Sequence, residues 1–295
     1  MIQSKSLGSR LSRLLIMFAL ILITFMSLAP IINTIVVSVS SSTAVNAGRV
    51  YFFPVELNFS SYGQILNDTK FWKAFLISVE RVVLGGAINM ILTILMAYPL
   101  SRSVTQFRSR NTYMWIIVFT MLFSGGIVPW YMVISNLGLI NSIWALVLPG
   151  AVPVFNVILL MNFFKGIPKE LEEAAFIDGA SPLKILLKIF IPISMPSLAT
   201  ITLFVIVGHW NNFFDGIILI NDSSKIPLQT YLQRLSLTRD QMQNLSVEQL
   251  QQFNKISNTT LNSAKILVSM IPILLIYPFL QRYLIHGIVL GAVKE

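Results

Sequence analysis

Six long apolar segments constrain this chain more than any other feature of its sequence. They cover about 14–38, 74–99, 113–134, 143–164, 197–220 and 264–284, each near the ~20 residues a helix needs to cross ~30 Å of hydrocarbon. Of 295 residues, 55% are hydrophobic and 11% are charged, against about 25% charged in a soluble domain. Mean hydropathy is +0.75. The expectation is an all-α membrane protein with six transmembrane helices, forming a single domain over 1–295. The net charge of +9 comes from basic residues at segment ends, which set topology and meet anionic headgroups rather than nucleic acid. Cysteine is absent, which excludes disulfides, thiolate metal sites and Cys nucleophiles. His209 and His286 are the only histidines, too few for a His-rich metal site or proton relay.

Loop charge orients the segments. Lys5, Arg10 and Arg13 precede the first apolar run, which is too long for a signal-peptide core and is read as an uncleaved span. The 100–112 loop carries Arg102, Arg108 and Arg110 without an acid, and the 165–195 loop carries Lys165, Lys169, Lys184 and Lys188. The positive-inside rule places these loops, and both termini, in the cytoplasm. The segments at 40–73 and 221–263 then lie outside. In the second of these, Tyr231–Leu237 and Ser246–Phe253 have helical character, with Ser246 as a cap.

The 165–195 loop reads as a helical elbow. Pro168 suits a first helical turn, and Glu170, Glu172 and Glu173 sit near the positive end of a helix over Lys169–Ile177. Leu171, Ala174, Ala175 and Asp178 share one face, and Gly179 ends the helix. Ser181 caps a second helix that begins at Pro182 and shows Leu183, Leu186, Leu187 and Phe190 on one side; Pro192 and Pro196 mark the return to the membrane. Amphipathicity alone fits an interfacial hairpin as well as it fits a surface that receives force from a soluble motor.

The full pattern is more specific. Glu173-Ala174-Ala175, three residues, Gly179, nine residues, then Ile189-Phe190-Ile191-Pro192 resembles the EAA motif of ABC importer permeases, with Ile191 where that motif has leucine. The resemblance covers essentially the whole chain and is to the carbohydrate-uptake type related to the maltose permease's G subunit. It includes Leu148-Pro149, Phe163-Phe164, Ile167-Pro168, Val207-Gly208-His209-Trp210-Asn211 and the tail Gly287 to Lys294. Ser124 to Pro129 and Tyr277 to Tyr283 are similar to an oligosaccharide or polysaccharide subgroup.

That resemblance implies a cytoplasmic coupling helix between helices four and five. Glu173, Ala174, Ala175, Asp178, Gly179 and Pro192 would engage the ATPase, and Gly291 and Lys294 in the tail would also reach it. It implies two ABC ATPase subunits, a second homologous permease subunit, an extracytoplasmic solute-binding protein, a sugar substrate and a bacterial cytoplasmic (inner) membrane location. No GxxxxGK[ST] loop occurs in the chain, so ATP and Mg would belong to the ATPase partners, with no cofactor here.

A sugar path needs aromatic faces and amide or carboxylate groups, which Trp210, Asn211, Asn212, Phe213 and Asp215 provide at membrane depth. Helix–helix hydrogen bonding and a local ion pair are the competing role for the same residues. Glu80 and Arg81 fit the path but suit pairing within the bundle better, and Trp130 and Tyr131 fit the path or an interfacial belt. His209 has no coordinating neighbours in sequence and reads as packed or hydrogen-bonded. An intramembrane enzyme would need a nucleophile–base pair; the chain offers only a Ser–Lys dyad on Lys265, which nothing in the sequence positions. A purely structural scaffold would leave the elbow and the polar cluster unexplained, and a permease for another solute class remains the nearer alternative.

Overall fold

In a computed structural model the described residues, 7–240 and 259–292, form helices joined by loops. They are α1 (Leu7–Ser38), α2 (Ser42–Asn46), α3 (Ser60–Leu66), α4 (Thr69–Ser101), α5 (Arg110–Leu122), α6 (Ile127–Asn136), α7 (Ile143–Val147) and α8 (Val154–Lys165). After them come α9 (Lys169–Ile177), α10 (Pro182–Ile185), α11 (Ile191–Ile193), α12 (Met195–Asn211), α13 (Phe214–Leu219), α14 (Leu228–Asp240) and α15 (Thr259–Ala292). A 3-10 turn, Leu148–Gly150, extends α7, and a π turn, Leu186–Phe190, joins α10 to α11.

Among the described residues, three stretches are long and apolar enough to cross a membrane unbroken: Leu11–Ser38, Thr69–Ser101 and Thr259–Phe279. The other apolar segments are bent pairs, so the described residues give up to six spans only if each pair counts as one. The continuous helix expected over 113–134 is instead α5 and α6, bent by 113°. Its corner is Gly126 at φ 89°, ψ 171°, a conformation that a Cβ disfavours. The segment expected at 143–164 bends by 46° between Pro149 and Pro153, each without an N–H to continue a helix. The segment expected at 197–220 is interrupted at extended Asn212, between α12 and α13. Its start lies beside an 83° bend at Ser194. The helix expected over Tyr231–Leu237 lies within α14, while Ser246–Phe253 falls outside the described residues.

The described chain forms two compact units. One comprises residues 7–69, 235–240 and 259–270. Within it, α1 leaves Leu14, Phe18, Ile21 and Phe25 exposed, as a lipid-facing helix requires. Its end is held where Asn33 Nδ2 donates to the Tyr51 carbonyl at 2.8 Å. Lys265 faces Asp68 at 2.7 Å, so a carboxylate partners its cation.

The second unit comprises 70–234 and 271–292 and is organised around α4. Phe71, Ala74, Ser78, Arg81, Gly85, Asn89, Thr93, Ala97 and Leu100 are its buried positions. Steps of three and four residues put them on one face. Leu76, Val83, Ile91 and Leu95 point outward and are exposed. This is a helix with its polar side inward, the inverse of a soluble amphipathic helix.

The polar stripe closes the breaks in the other helices. Asn89 Nδ2 donates to the carbonyls of Gly150 and Ala151 at 2.8 and 2.9 Å, where the α7–α8 break leaves them without helical partners. Asn89 Oδ1 lies 2.9 Å from His209 Nε2. Arg81 Nη1 donates to the Asn212 carbonyl at 3.2 Å and to Asp215 Oδ1 at 3.0 Å, and Nη2 donates to Asp215 Oδ2. Ser78 Oγ accepts the Leu228 N–H at 2.7 Å. The bonds to the Gly150, Ala151 and Asn212 carbonyls and to the Leu228 N–H satisfy backbone groups that would cost several kcal/mol if left bare in hydrocarbon. Gly85 makes the approach possible: a Cβ there would meet His209 Cε1 at 2.5 Å.

Two outcomes follow for stability. Gly85→Ala displaces the His209 ring and costs about 1–3 kcal/mol by overpacking, read as a lowered midpoint of thermal unfolding in detergent. Asp215→Leu strands a buried guanidinium and costs about 3–5 kcal/mol, whereas Arg81→Met with Asp215→Leu recovers most of that loss. A double variant as unstable as the single would show that the stability does not depend on charge balance at this pair.

Candidate functional site

The second unit contains a cavity of about 1260 Å³. Its polar lining includes Arg81, Asn89, Asn156, His209, Asn212 and Asp215, and its apolar lining includes Phe123, Trp130, Phe204 and Phe214. Residues at three helix breaks line it: Phe123 to Gly126, Leu148 to Gly150, and Asn212. Irregular backbone at membrane depth is tolerated where it is buried in protein or lines a cavity. Broken helices also mark the binding regions of many transporters. Among the described residues of the lining, Arg81 and Asp215 are the only formally charged ones, and they cancel one another. Asp215 is further held by Asn212 Nδ2 at 3.2 Å and by the Gly216 N–H at 2.8 Å. Among the described residues no cluster of three His, Cys, Asp or Glu stands ready to hold a metal ion.

Of the residues that sequence marked for a sugar path, Trp130, Asn212 and Asp215 line this cavity. Trp210 does not: only 4% exposed, it packs edge-on against Phe75 with ring centres 5.5 Å apart. Asn211, Phe213, Glu80 and Tyr131 are exposed but are not part of the lining. For Glu80, Tyr131 and Asn211 helical geometry separates them from their neighbours, because one step along a helix turns a side chain by about 100°; Phe213 lies in the break between α12 and α13. Sequence reading missed Asn89, His209 and Asn156 as lining residues and favoured pairing over the path for Arg81, which does both: it lines the cavity and pairs with Asp215. The run Arg81-Gly85-Asn89-Thr93 at every fourth position was the available signal, a polar and small stripe inside an apolar helix.

The elbow is built locally. The Gly179 N–H donates to the Phe176 carbonyl at 3.0 Å, and the Ala180 N–H to the Ala175 carbonyl at 2.9 Å. With Gly179 at φ 73°, this is the Schellman arrangement that closes a helix C-terminus. Ser181 Oγ accepts the Lys184 N–H at 3.4 Å, with Pro182 in the first turn. Pro168 sits at the N-cap of α9 rather than in its first turn, one position earlier than its sequence context implied. Glu173, Ala174, Phe176, Ile177, Asp178 and Gly179 are exposed, whereas Glu172 and Ala175 are buried. The face expected from Leu171, Ala174, Ala175 and Asp178 is therefore divided, with Ala175 inside the hydrophobic core. Pro192 is exposed in α11, Gly291 lies in α15, and Lys294 falls outside the described residues.

Near the opposite end of the unit, the 221–225 loop is folded onto Asn141, a left-handed residue at φ 62°. Asn141 Oδ1 accepts the N–H groups of Asn221 and Asp222 at 2.6 and 3.1 Å. The Ser224 N–H, helped by the Ser224 hydroxyl, holds the Asp222 carboxyl below its ordinary range.

Known proteins share this architecture. Residues 77–289 match the family described as binding-protein-dependent transport system inner membrane component. The chain is 40% identical over 280 residues to the polygalacturonan/rhamnogalacturonan transport system permease protein YtcP of Bacillus subtilis (strain 168), covering 95% of each. It is 35% identical over 269 residues to Protein LplC of the same organism, covering 91% of this chain and 90% of that one. Among solved structures it resembles a chain of a bacterial ABC transporter involved in the import of the acidic polysaccharide alginate. The TM-score is 0.85 at 34% identity, covering 95% of this chain and 99% of that one. The match extends over most of the chain and takes in both the cavity and the elbow, so this protein belongs to the family of binding-protein-dependent transport system inner membrane components.

Proposed function

We propose that this chain is the permease subunit of an ABC importer that takes up an oligosaccharide derived from an acidic polysaccharide. The cavity is the observation that carries this reading. It joins aromatic and apolar surface, which covers the C–H faces of sugar rings, to a wall of amide, imidazole and ion-pair groups that addresses hydroxyls. The relatives named for polygalacturonan/rhamnogalacturonan transport and for alginate import support the substrate class. Its neutral lining suits passage, since a site must bind strongly enough to admit cargo and weakly enough to release it.

In this reading the termini and the 165–195 elbow are cytoplasmic, and the bacterial inner membrane is crossed six times. The exposed Glu173, Ala174, Asp178 and Gly179 meet one of two ATPase subunits, which hold ATP and Mg. Ala175 supports that surface from the core, Pro192 ends the elbow, and the tail at Gly291 and Lys294 adds to the same contact. A second permease subunit completes the path. The loop at 221–263 faces an extracytoplasmic solute-binding protein.

Cells or proteoliposomes with the full importer should accumulate labelled oligogalacturonide or a similar acidic oligosaccharide in an ATP-dependent manner, and lose that uptake without this chain. ATP-dependent uptake of a non-sugar solute with no competition by such oligosaccharides would overturn the substrate class. At the elbow, a Cβ on Gly179 meets nothing within 4 Å inside the chain, so crowding within the chain is not the cost of substitution. Gly179→Asn tolerates the left-handed backbone and retains most uptake. Gly179→Ile loses the cap, at about 1–2 kcal/mol, and with it coupled uptake. Unchanged uptake in Gly179→Ile would remove the coupling role.

A further inference from the structure

We propose that Arg102 is a positioning residue that pins the elbow to α4, so that displacement of the elbow reaches the cavity as movement of that helix. The proposal rests on the reading of 165–195 as the ATPase-facing elbow and adds the route by which its motion travels. Arg102 directly follows the last residue of α4 and touches both arms of the elbow. It forms an ion pair with Glu172 of α9, the side chains being 12% and 10% exposed. The same guanidinium lies 4.5 Å from the ring centre of Phe190, at the end of the π turn, and 4.5 Å from that of Tyr98 on α4. Tyr98, Phe190 and Phe164 of α8 form an edge-on triad, with centres 5.2, 5.4 and 6.4 Å apart. A cation held between two rings and a buried carboxylate resists displacement relative to its neighbours.

The mechanical case concerns which helix can carry a push. The bent pairs turn through 113°, 46° and 83° at glycine, proline or Ser194. By contrast, α4 is one helix of 33 residues, its one proline, Pro99, lying in the last turn. Asn89 and Arg81 lie on its buried face, about 20 and 32 Å from Arg102 at ~1.5 Å per residue. Those side chains hold the Gly150, Ala151 and Asn212 carbonyls at two of the breaks that face the cavity. A shift of α4 by about 1 Å takes bonds of this kind outside hydrogen-bonding range unless the breaks follow. Elbow, Arg102, α4 and the two breaks thus form a contiguous chain of contacts within one compact unit, the physical requirement for coupling between distant sites.

The test uses the full importer with its ATPase subunits, in proteoliposomes. Arg102→Gln is expected to leave ATPase subunits co-purifying and hydrolysing ATP near the parental rate, while sugar uptake falls about tenfold, within the 5- to 150-fold span of ordinary coupling. Glu172→Gln should behave alike, and the double swap Arg102→Glu with Glu172→Arg should restore part of the uptake, because it returns the ion pair but not the cation between the rings. A merely structural pair predicts something else: loss of assembly, with hydrolysis and uptake falling together and no rescue by the swap. That result, or unchanged uptake in Arg102→Gln while Gly179→Ile remains inactive, overturns the pin and leaves the elbow reading intact. If both Gly179→Ile and Arg102→Gln take up sugar normally, the elbow reading itself fails, and the pin with it.

Discussion

Hydrocarbon offers no hydrogen bonds, and the second unit is arranged around that constraint. A spanning helix satisfies its own backbone, but a broken one leaves carbonyls and N–H groups bare at the depth where they cost most. This permease breaks its helices beside the cavity and supplies partners from the side chains of one neighbour. Asn89 serves the α7–α8 break and Arg81 the break after α12. Arg110 Nε adds a bond at the other end, to the Leu100 carbonyl at 2.7 Å. The composition of the buried α4 stripe follows from these duties. Small residues such as Gly85 admit neighbouring rings, while polar ones reach across to backbone that its own helix has abandoned.

The same constraint shapes the chemistry of the cavity. A guanidinium brought to this depth for the sake of the Asn212 carbonyl carries a charge that must be balanced, and Asp215 balances it. The price of closing the break is one buried ion pair, and the gain is a cavity with no net charge. The hydroxyl-rich cargo proposed for it would find donors and acceptors there without an electrostatic well. The positive balance of the chain lies instead at the ends of its apolar segments, where the proposed topology uses it for orientation.

Local features were legible in the sequence and long-range ones were not. The elbow could be read because its signals are short: Gly179 closes α9, and Ser181-Pro182 opens α10 within three residues. The apolar segments were found, but an average over some twenty residues hides a break inside them. Gly125-Gly126, Pro149 and Pro153 were visible in sequence, yet continuity was assumed because the partners that make breaks tolerable lie on α4, at positions 61 to 131 residues away in sequence. At the cavity, proximity to Asp215 in sequence drew in Trp210, Asn211 and Phe213. Helical rotation sends Trp210 and Asn211 elsewhere, the break after α12 leaves Phe213 outside the lining, and Asn89, His209 and Asn156 form part of the wall instead. Glu172 was read only for the helix dipole and Arg102 only for topology; their meeting depends on two loops folding over the end of α4.

Magnitudes indicate why side-chain bonds suit these places. An ordinary hydrogen bond contributes about 0.5–1.5 kcal/mol net, and one to a charged group about 1.5–3. Asn89 and Arg81 together therefore hold their breaks with several kcal/mol, enough to keep each corner closed but far less than re-forming a continuous helix through Pro149 and Pro153 would demand. A corner held in this way has a defined geometry and can still be carried along when its partner helix moves. The outward face of α4, with Leu76, Val83, Ile91 and Leu95 exposed, contributes to the same end: apolar side chains in lipid exchange one neighbour for another at little cost, so resistance to motion is concentrated on the inward face, at the bonds that shape the cavity.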